Sequence, residues 1–246
     1  MLLLDFPLQD LLLTALIFVW AGFVRTGLGF GGAALGLPLM LLIYDQPIYW
    51  LPIIGTHLLF FTSLTLRTRL KDVDWAYLRR SCLLIVPAAL AGVFGLLNLP
   101  NNWLILLIYS VTLFYAVTWV MNLNIRSSNS WVDKGLLLTG GYIAGTSLTG
   151  APLMVAVYMR NVAAEQLRNT LFVLWFVLVS IKMSTFATLG VDLQFSTALM
   201  LLPIAGIGHV IGLRAHDRIL QNDQLFKRII GGVLIVISLL ALWKLL

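Results

Sequence analysis

The chain has 246 residues, of which 60% are hydrophobic and 11% are charged, and its formal net charge is +6. Its mean hydropathy of +0.97 excludes a soluble globular protein, because a soluble domain of this length cannot bury so much apolar surface. A single cysteine, Cys82, excludes a disulfide framework and a multi-cysteine metal site. The composition therefore predicts an all-α, polytopic transmembrane bundle that forms one membrane domain over residues 1–246.

Ten apolar segments follow one another along the chain. They are predicted at residues 11–26, 33–44, 48–66, 76–97, 103–121, 135–149, 151–160, 168–188, 195–213 and 228–246. Most approach the length of about 20 apolar residues that a helix needs to cross a bilayer. Segments 33–44 and 151–160 are shorter and are candidates for half-helices or re-entrant elements, and the sequence leaves open whether they cross or turn back.

Basic residues concentrate in alternate connections between these segments. Thirteen of the 16 lysines and arginines fall in residues 67–80, 122–134, 160–168 and 214–228. The N-terminus and residues 45–49, 98–102 and 189–194 contain none. The positive-inside rule therefore predicts that the basic connections are cytoplasmic and that the N-terminus lies outside. This distribution is typical of membrane orientation rather than of a nucleic-acid-binding face, so no nucleic acid is a predicted partner.

The two halves of the chain carry matching motifs. The sequence GLGFGG at residues 27–32 precedes a Pro-Leu-Met motif at Pro38, and GTSLTG at residues 145–150 precedes another at Pro152, 114 residues later. An odd number of crossings, five in each half, starts the two halves on opposite sides of the membrane. Residues 11–124 and 135–246 are therefore predicted to be repeats of inverted topology. This parity also holds if the first two segments of both halves are re-entrant. Duplicated, Gly/Pro-broken apolar segments indicate the substrate site of a secondary transporter.

The first glycine motif also fits the G-x-G-x-x-G pattern of dinucleotide-binding loops. That pattern needs a preceding strand and an acidic residue about 20 positions further on. Here a membrane-length segment precedes it and the next acid, Asp45, lies beyond another apolar segment, so no cofactor is predicted. Broken helices can instead point free N–H groups at an anion. The alternative is that these glycines only allow close helix packing.

Two cations lie in or beside apolar segments. A charge at membrane depth costs about 2.5–3.5 kcal/mol on insertion scales and indicates a functional site. Arg25 precedes the first glycine motif, and its planar guanidinium suits sulfonate, sulfite or carboxylate oxygens. Lys182 is a second candidate anion contact. The alternatives are pairing of Arg25 with a carbonyl and snorkelling of either side chain to an interface.

Four further polar residues lie in apolar segments. His57 and His209 are candidate proton relays, with a hydrogen-bonded structural role as the alternative. Thr56 and Thr170 coincide in the two repeats and could contact substrate or satisfy freed backbone groups. No acidic residue lies within a segment, which weakens proton coupling without excluding it.

The combined pattern resembles the TauE/SafE family of sulfite exporter-like permeases. The resemblance rests on G-x-G-x-G-G followed by Pro-Leu, on its second-half counterpart T-G-A-P-L, and on the C-terminal GHVIGLRAHDRI, and it covers about residues 11–246. It implies an inverted-repeat helical fold in which the two motifs meet near the centre, and an inner-membrane permease for small, mostly sulfur-containing anions. Ala33 and Ala151 stand where many members have glycine. The site residues that the resemblance implies are Gly27, Gly29, Gly31, Gly32, Pro38, Gly145, Thr149, Gly150 and Pro152.

The sequence thus predicts a transporter rather than an enzyme. This transporter would export sulfite or an organosulfonate across the bacterial inner membrane by alternating access. Its predicted partners are the lipid bilayer and the small anion, and no metal or cofactor is expected. Two alternatives stay open. One is a membrane scaffold or assembly factor that transports nothing. The other is an intramembrane enzyme, for which His57 and His209 are the candidate bases.

Overall fold

The computed structural model describes residues 3–28, 32–123, 129–221 and 223–245. The protein is 88% helical, and its described part contains ten α-helices and no strand. The helices are α1 (Leu8–Leu28), α2 (Gly32–Ile43), α3 (Pro47–Leu66), α4 (Trp75–Asn98), α5 (Asn101–Val120), α6 (Ser130–Ser147), α7 (Ala151–Asn161), α8 (Ala164–Thr188), α9 (Phe195–Gln221) and α10 (Asp223–Leu245). Two short 3-10 helices lie at Leu3–Asp5 and Leu70–Asp72. The predicted all-α class and the ten predicted segments are confirmed.

Seven of the described helices are long and apolar enough to span a membrane: α1, α3, α4, α5, α8, α9 and α10. Helix α2 is apolar but has 12 residues, and α7 has 11 residues. The polytopic membrane architecture predicted from composition is therefore confirmed, and both short segments are short helices.

Several helices extend further at their basic ends than hydropathy predicts. Helix α6 begins at Ser130, and α9 continues to Gln221. Residues 130–134 and most of 214–228, predicted as connections, are therefore helical, and that prediction was wrong. Hydropathy marks only the apolar part of a helix, whereas backbone hydrogen bonds continue into the polar end. At the start of α6, the side chain of Asn129 accepts hydrogen bonds from the N–H groups of Trp131 and Val132, each at 3.0 Å, which is a typical N-cap.

The chain forms two compact units, and each combines helices from both predicted repeats. Unit one comprises residues 1–51, 100–124 and 194–246, and unit two comprises residues 52–99 and 125–193. In unit one, α1 packs on α9 and α2, and α5 packs on α10. In unit two, α6 packs on α4 and α7, and α8 packs on α4 and α7. The repeat boundaries 11–124 and 135–246 stay a prediction.

Close helix crossings are built in the same way in each unit. In unit one, a side chain on Gly22 of α1 would overlap the backbone oxygen of Ala205 on α9. In unit two, a side chain on Gly145 of α6 would overlap the backbone oxygen of Ala89 on α4. Small residues of this kind let helix backbones approach closely inside a bilayer, where the hydrophobic effect does not drive helix association. The pair α1 and α9 thus corresponds to the pair α6 and α4.

This correspondence shifts the alignment of the two glycine motifs. Ala89 and Ala205 are 116 residues apart, close to the 114 residues that separate the two Pro-Leu-Met motifs, but Gly22 and Gly145 are 123 apart. The contact geometry therefore pairs Gly145 with Gly22 rather than with residues 27–32. The physical reason is that α1 continues to Leu28, whereas α6 ends at Ser147.

Helices α6 and α7 form a hairpin that turns back on itself. Asp133 lies in the first turn of α6, and its Oδ2 accepts hydrogen bonds from Arg160 at 3.1 Å and from Asn161 at 3.4 Å. Both donors lie at the end of α7, so α7 ends beside the start of α6. Helix α7 is about 16 Å long, roughly half the thickness of the hydrocarbon core. Segment 151–160 therefore turns back.

Helices α1 and α2 form a second hairpin within unit one. Gly32 at the start of α2 lies against Arg25 near the end of α1, and the next turn, at Gly36, lies against Ala21. The rings of Phe6, before α1, and Tyr44, after α2, are 5.8 Å apart. Segment 33–44 therefore also returns along its predecessor. The first two segments of both halves are hairpins, which is the arrangement that preserves the predicted inverted parity.

Candidate functional site

The tip of the α6–α7 hairpin reverses the chain within three residues. Leu148 adopts a left-handed conformation, with φ 59° and ψ 14°, and its N–H donates to the backbone oxygen of Ala144. This conformation costs a residue with a side chain about 1–2 kcal/mol. Such strain persists where the surrounding structure enforces it, and it clusters at ligand sites. The left-handed residue ends α6 and turns the chain toward α7.

Glycine and proline shape the start of α7. A side chain on Gly150 would overlap the backbone oxygen of Gly140 and would come within 2.8 Å of the amide nitrogen of Ala144. Only glycine therefore lets the tip pass this close to α6. Pro152 lies in the first turn of α7, where its fixed φ fits the helix and its missing N–H costs no hydrogen bond.

Buried hydroxyl groups surround this turn. Thr146, Ser147 and Thr149 are each at most 1% exposed. The hydroxyl of Ser147 donates to the backbone oxygen of Ile143 at 3.0 Å and lies 2.6 Å from the hydroxyl of Thr149. The N-cap residue of α7 is Gly150, which has no side chain to accept a hydrogen bond from the helix, and the first-turn N–H groups of any helix have no intrahelical acceptor. The partial positive charge of a helix N-terminus attracts anions.

Lys182 on α8 brings a cation to the same tip. Its side chain is 1% exposed, and its Nζ donates to the backbone oxygen of Thr146 at 3.2 Å. Thr146 is in the last turn of α6, where the free carbonyls and the helix dipole stabilise a positive charge. The ring of Phe186 lies 5.8 Å from Nζ. The side chain does not reach the surface, so the snorkelling interpretation of Lys182 was wrong.

The ammonium of Lys182 keeps donor capacity for a ligand. A lysine has three N–H donors, and among the described residues the oxygen of Thr146 is its one hydrogen-bond acceptor. Asp133, at the other end of α6, pairs with Arg160. The tip of unit two thus combines a buried cation, buried hydroxyl groups and an uncapped helix N-terminus, which together are chemically suited to an anion.

Arg25 lies in unit one, near the end of α1. A Cβ on Gly32 would come within 2.8 Å of the Cβ of Arg25, so glycine is needed where α2 starts beside this arginine. Gly27, two residues after Arg25, is buried. With the 123-residue shift between α1 and α6, Arg25 corresponds to Leu148. The two units therefore place their cations on different helices.

His209 is held by a hydroxyl group that sequence reasoning did not single out. Thr26 donates its hydroxyl proton to the backbone oxygen of Gly22 at 3.0 Å, and its Oγ1 lies 2.6 Å from Nδ1 of His209. The short distance shows a hydrogen bond between the Thr26 hydroxyl and the His209 ring. The position of Thr26, one turn after the close-packed Gly22 and beside Arg25, is the signal that could have found it.

The remaining predicted residues are not brought together. Thr170 donates to the backbone oxygen of Gln166 and accepts from the N–H of Asp74, so it ties α8 to the start of α4. It lies 12 residues from Lys182 on α8, about 18 Å along the helix axis. The hydroxyl oxygen of Thr56 on α3 is buried and has no hydrogen-bond partner among the described residues.

His57 and Pro38 both lie inside helices and contact aromatic residues. His57 on α3 is buried, with the ring of Phe61 at 6.4 Å. The oxygen of Pro38, inside α2, accepts a hydrogen bond from the hydroxyl of Tyr109 at 2.9 Å. Gly29 and Gly31 lie outside the described residues. Within the described ranges, no group of three or more His, Cys, Asp or Glu side chains could hold a metal ion.

Comparison with known proteins identifies the family. The sequence model described as "Sulfite exporter TauE/SafE" matches residues 14–241, which is nearly the whole chain. Searches of curated proteins and of solved structures each found no match. The matched range contains the α6–α7 hairpin with its polar tip and most of the α1–α2 hairpin, and seven described helices are long and apolar enough to cross a membrane. The chain belongs to the sulfite exporter TauE/SafE family.

Proposed function

We propose that the protein is a secondary transporter that exports sulfite or a small organosulfonate across the bacterial inner membrane, with its N-terminus outside. The observation that carries the anion assignment is Lys182, which is 1% exposed and donates to the oxygen of Thr146 at the tip of the α6–α7 hairpin. The family supports transport, because its model describes sulfite exporters.

The anion would bind at the tip of unit two. Its negative charge would be met by the ammonium of Lys182 and by the N-terminus of α7, which starts just after Gly150. The hydroxyl groups of Ser147 and Thr149 lie in the same turn. Arg25, Gly27, Gly32 and Pro38 of unit one stay proposed substrate residues, and transport would follow alternating access as in other inverted-repeat transporters.

The anion assignment is tested by thermal unfolding of the detergent-purified full chain against sulfite, sulfate, thiosulfate, sulfoacetate, taurine, acetate and lactate. A ligand that binds only the folded state at 100 times its Kd stabilises it by about 2.7 kcal/mol. We expect selective stabilisation by a sulfur-containing anion, lost in Lys182→Met and kept in Lys134→Met. Lys134 is the matched control, because it is exposed on α6 and its Nζ lies 4.5 Å from the ring of Trp131.

Transport itself is tested in proteoliposomes with the anion that stabilises the protein. Saturable flux in the wild type, lost in Lys182→Met, supports the proposal. A folded wild type that neither binds nor moves any of these anions would overturn it and would favour the scaffold alternative.

A further inference from the structure

We propose that Lys182 is the proton carrier of this transporter, so that one proton moves with each anion. In this proposal the amine of Lys182 takes up a proton as the anion binds at the α6–α7 tip, and it releases the proton when the anion leaves. The inference rests on the proposed function, because it requires an anion at this tip.

Among the described residues, Lys182 has no ion-pair partner. The side chain is 1% exposed, and its described hydrogen bond is to the neutral carbonyl of Thr146. An ammonium that is buried without a counter-ion carries a large desolvation cost. A negative charge beside the ammonium would offset this cost, so the charge of Lys182 and the binding of an anion are expected to depend on each other.

The acids of unit two lie far from this ammonium. Asp133 on α6 is 13 residues from Thr146, about 20 Å along the helix, and it pairs with Arg160. Asp74 lies beside Thr170, which is 12 residues from Lys182, or about 18 Å along α8. Asp72 lies two residues before Asp74, Glu165 is further along α8 toward its start, and Asp192 is exposed. An anion that binds at the tip would therefore supply the missing negative charge.

Anion binding and proton binding at Lys182 are then thermodynamically linked. An anion at the tip stabilises the ammonium relative to the amine, and by reciprocity the proton strengthens anion binding by the same factor. The step is balanced, because the lone pair of the amine nitrogen forms an N–H bond, an O–H bond of a hydronium ion breaks, and water is released. This route needs no carboxylate, which accounts for a transporter whose apolar segments contain no acid.

Other titratable groups pack around α8, and two lie near the level of the tip. Gly55 on α3 lies against the side chain of Met183, the residue after Lys182. His57, two residues after Gly55, is therefore within one helical turn of the height of Lys182. Tyr142 on α6 is one turn from Thr146. On α4 and α7 the nearest such groups, Cys82 and Tyr158, lie seven residues, about 10 Å, from Ala89 and Ala151 at the tip. The groups at the start of α8 and on the 3-10 helix Leu70–Asp72 lie near the level of Thr170.

The test is isothermal titration of sulfoacetate into the detergent-purified full chain at pH 7 to 9, in buffers of different ionisation enthalpy. Both acid groups of sulfoacetate are ionised in this range, so proton uptake reports the protein. We expect the wild type to take up a proton on binding, with an affinity that falls by up to about tenfold per pH unit. Arginine stays charged at every pH of the series, so Lys182→Arg should bind without proton uptake and with no pH dependence.

Each outcome separates the two proposals. If the wild type binds the anion without taking up a proton, Lys182 is not a proton carrier, but the proposed transport function stands. The same holds if Lys182→Arg takes up as many protons as the wild type. No binding by the wild type overturns the proposed function itself. His57→Gln should keep the uptake, and its loss in that variant would assign the carrier to His57 instead.

A second measurement avoids dependence on the folding of Lys182→Arg. An outward sulfoacetate gradient in proteoliposomes that hold an internal pH dye should raise the internal pH with wild-type protein. The exposed-site variant Lys134→Arg should behave like the wild type. Sulfoacetate flux with no change of internal pH would overturn the proton carrier.

Discussion

Arg160 in the last turn of α7 lies 3.1 Å from Asp133 in the first turn of α6. This ion pair places the two ends of the α6–α7 hairpin side by side, with the polar turn at Leu148 at the far end. The hairpin therefore brings a broken backbone into the protein interior, where irregular backbone is tolerated only if it is buried in protein or lines a cavity. The position of Lys182 against the last turn of α6 follows from this arrangement.

The hairpin geometry predicts that both of its ends are reached from one side of the membrane. In a Cys82→Ala background, we expect Ser130→Cys and Asn161→Cys, both at exposed positions, to react with a membrane-impermeant maleimide from the cytoplasmic side. Leu189→Cys, which follows α8 and is 52% exposed in the wild type, should react from the outside. Labelling of Ser130→Cys and Asn161→Cys from opposite sides would show that α7 crosses the membrane.

The close crossing of α6 and α4 predicts opposite effects for two glycines on one helix. Gly145→Ala would place a Cβ against the backbone oxygen of Ala89, whereas a Cβ on Gly135 meets nothing within 4 Å. Overpacking typically costs about 1–3 kcal/mol, so Gly145→Ala should lower the melting temperature of the purified protein. Gly135→Ala should leave stability unchanged or raise it by up to about 1 kcal/mol, because alanine favours the helix. Equal effects of the two variants would contradict the packing of α6 on α4.

The hydrogen bond between Thr26 and His209 predicts coupling between α1 and α9. Thr26→Val removes the hydrogen-bond partner of Nδ1 of His209 and should cost about 1–3 kcal/mol, the usual penalty for an unsatisfied polar group inside a protein. In a double-mutant cycle with His209→Phe, the two changes should be non-additive by about 0.5–3 kcal/mol. The control is Thr185→Val, because among the described residues the Thr185 hydroxyl donates to the backbone oxygen of Ile181 alone. Additive costs would show that the two side chains do not interact in the folded protein.

Because Lys182 has no described ion-pair partner, we expect its replacement to remove anion transport without lowering the stability of the protein. Replacing a buried charge by an apolar side chain of similar volume is often neutral or stabilising. Lys182→Met should therefore melt at the same temperature as the wild type or higher, while it loses anion flux. A melting temperature well below that of the wild type would instead assign Lys182 a structural role in capping α6 through Thr146. The measurement is thermal unfolding without ligand, alongside flux in proteoliposomes.

The membrane class, the ten segments and the family were predictable from the sequence, because they depend on properties of short stretches. Apolar length decides which stretches can span a bilayer, and the glycine and proline motifs are readable as spacing. The inverted parity also followed from charge, since basic residues mark alternate connections. Lys182 could be proposed from the sequence for a similar reason, because a charge within an apolar run is visible without a structure.

The tertiary structure alone decided which groups meet. Lys182 and Thr146 are 36 residues apart, and Thr26 and His209 are 183 apart, so no local pattern connects them. The return of α7 along α6 depended on the contact between Asp133 and Arg160, which sequence spacing does not specify. Helix formation is a local property of the backbone, whereas the pairing of α6 with α4 and of α1 with α9 depends on close contacts at Gly145 and Gly22, and only the folded chain makes those contacts.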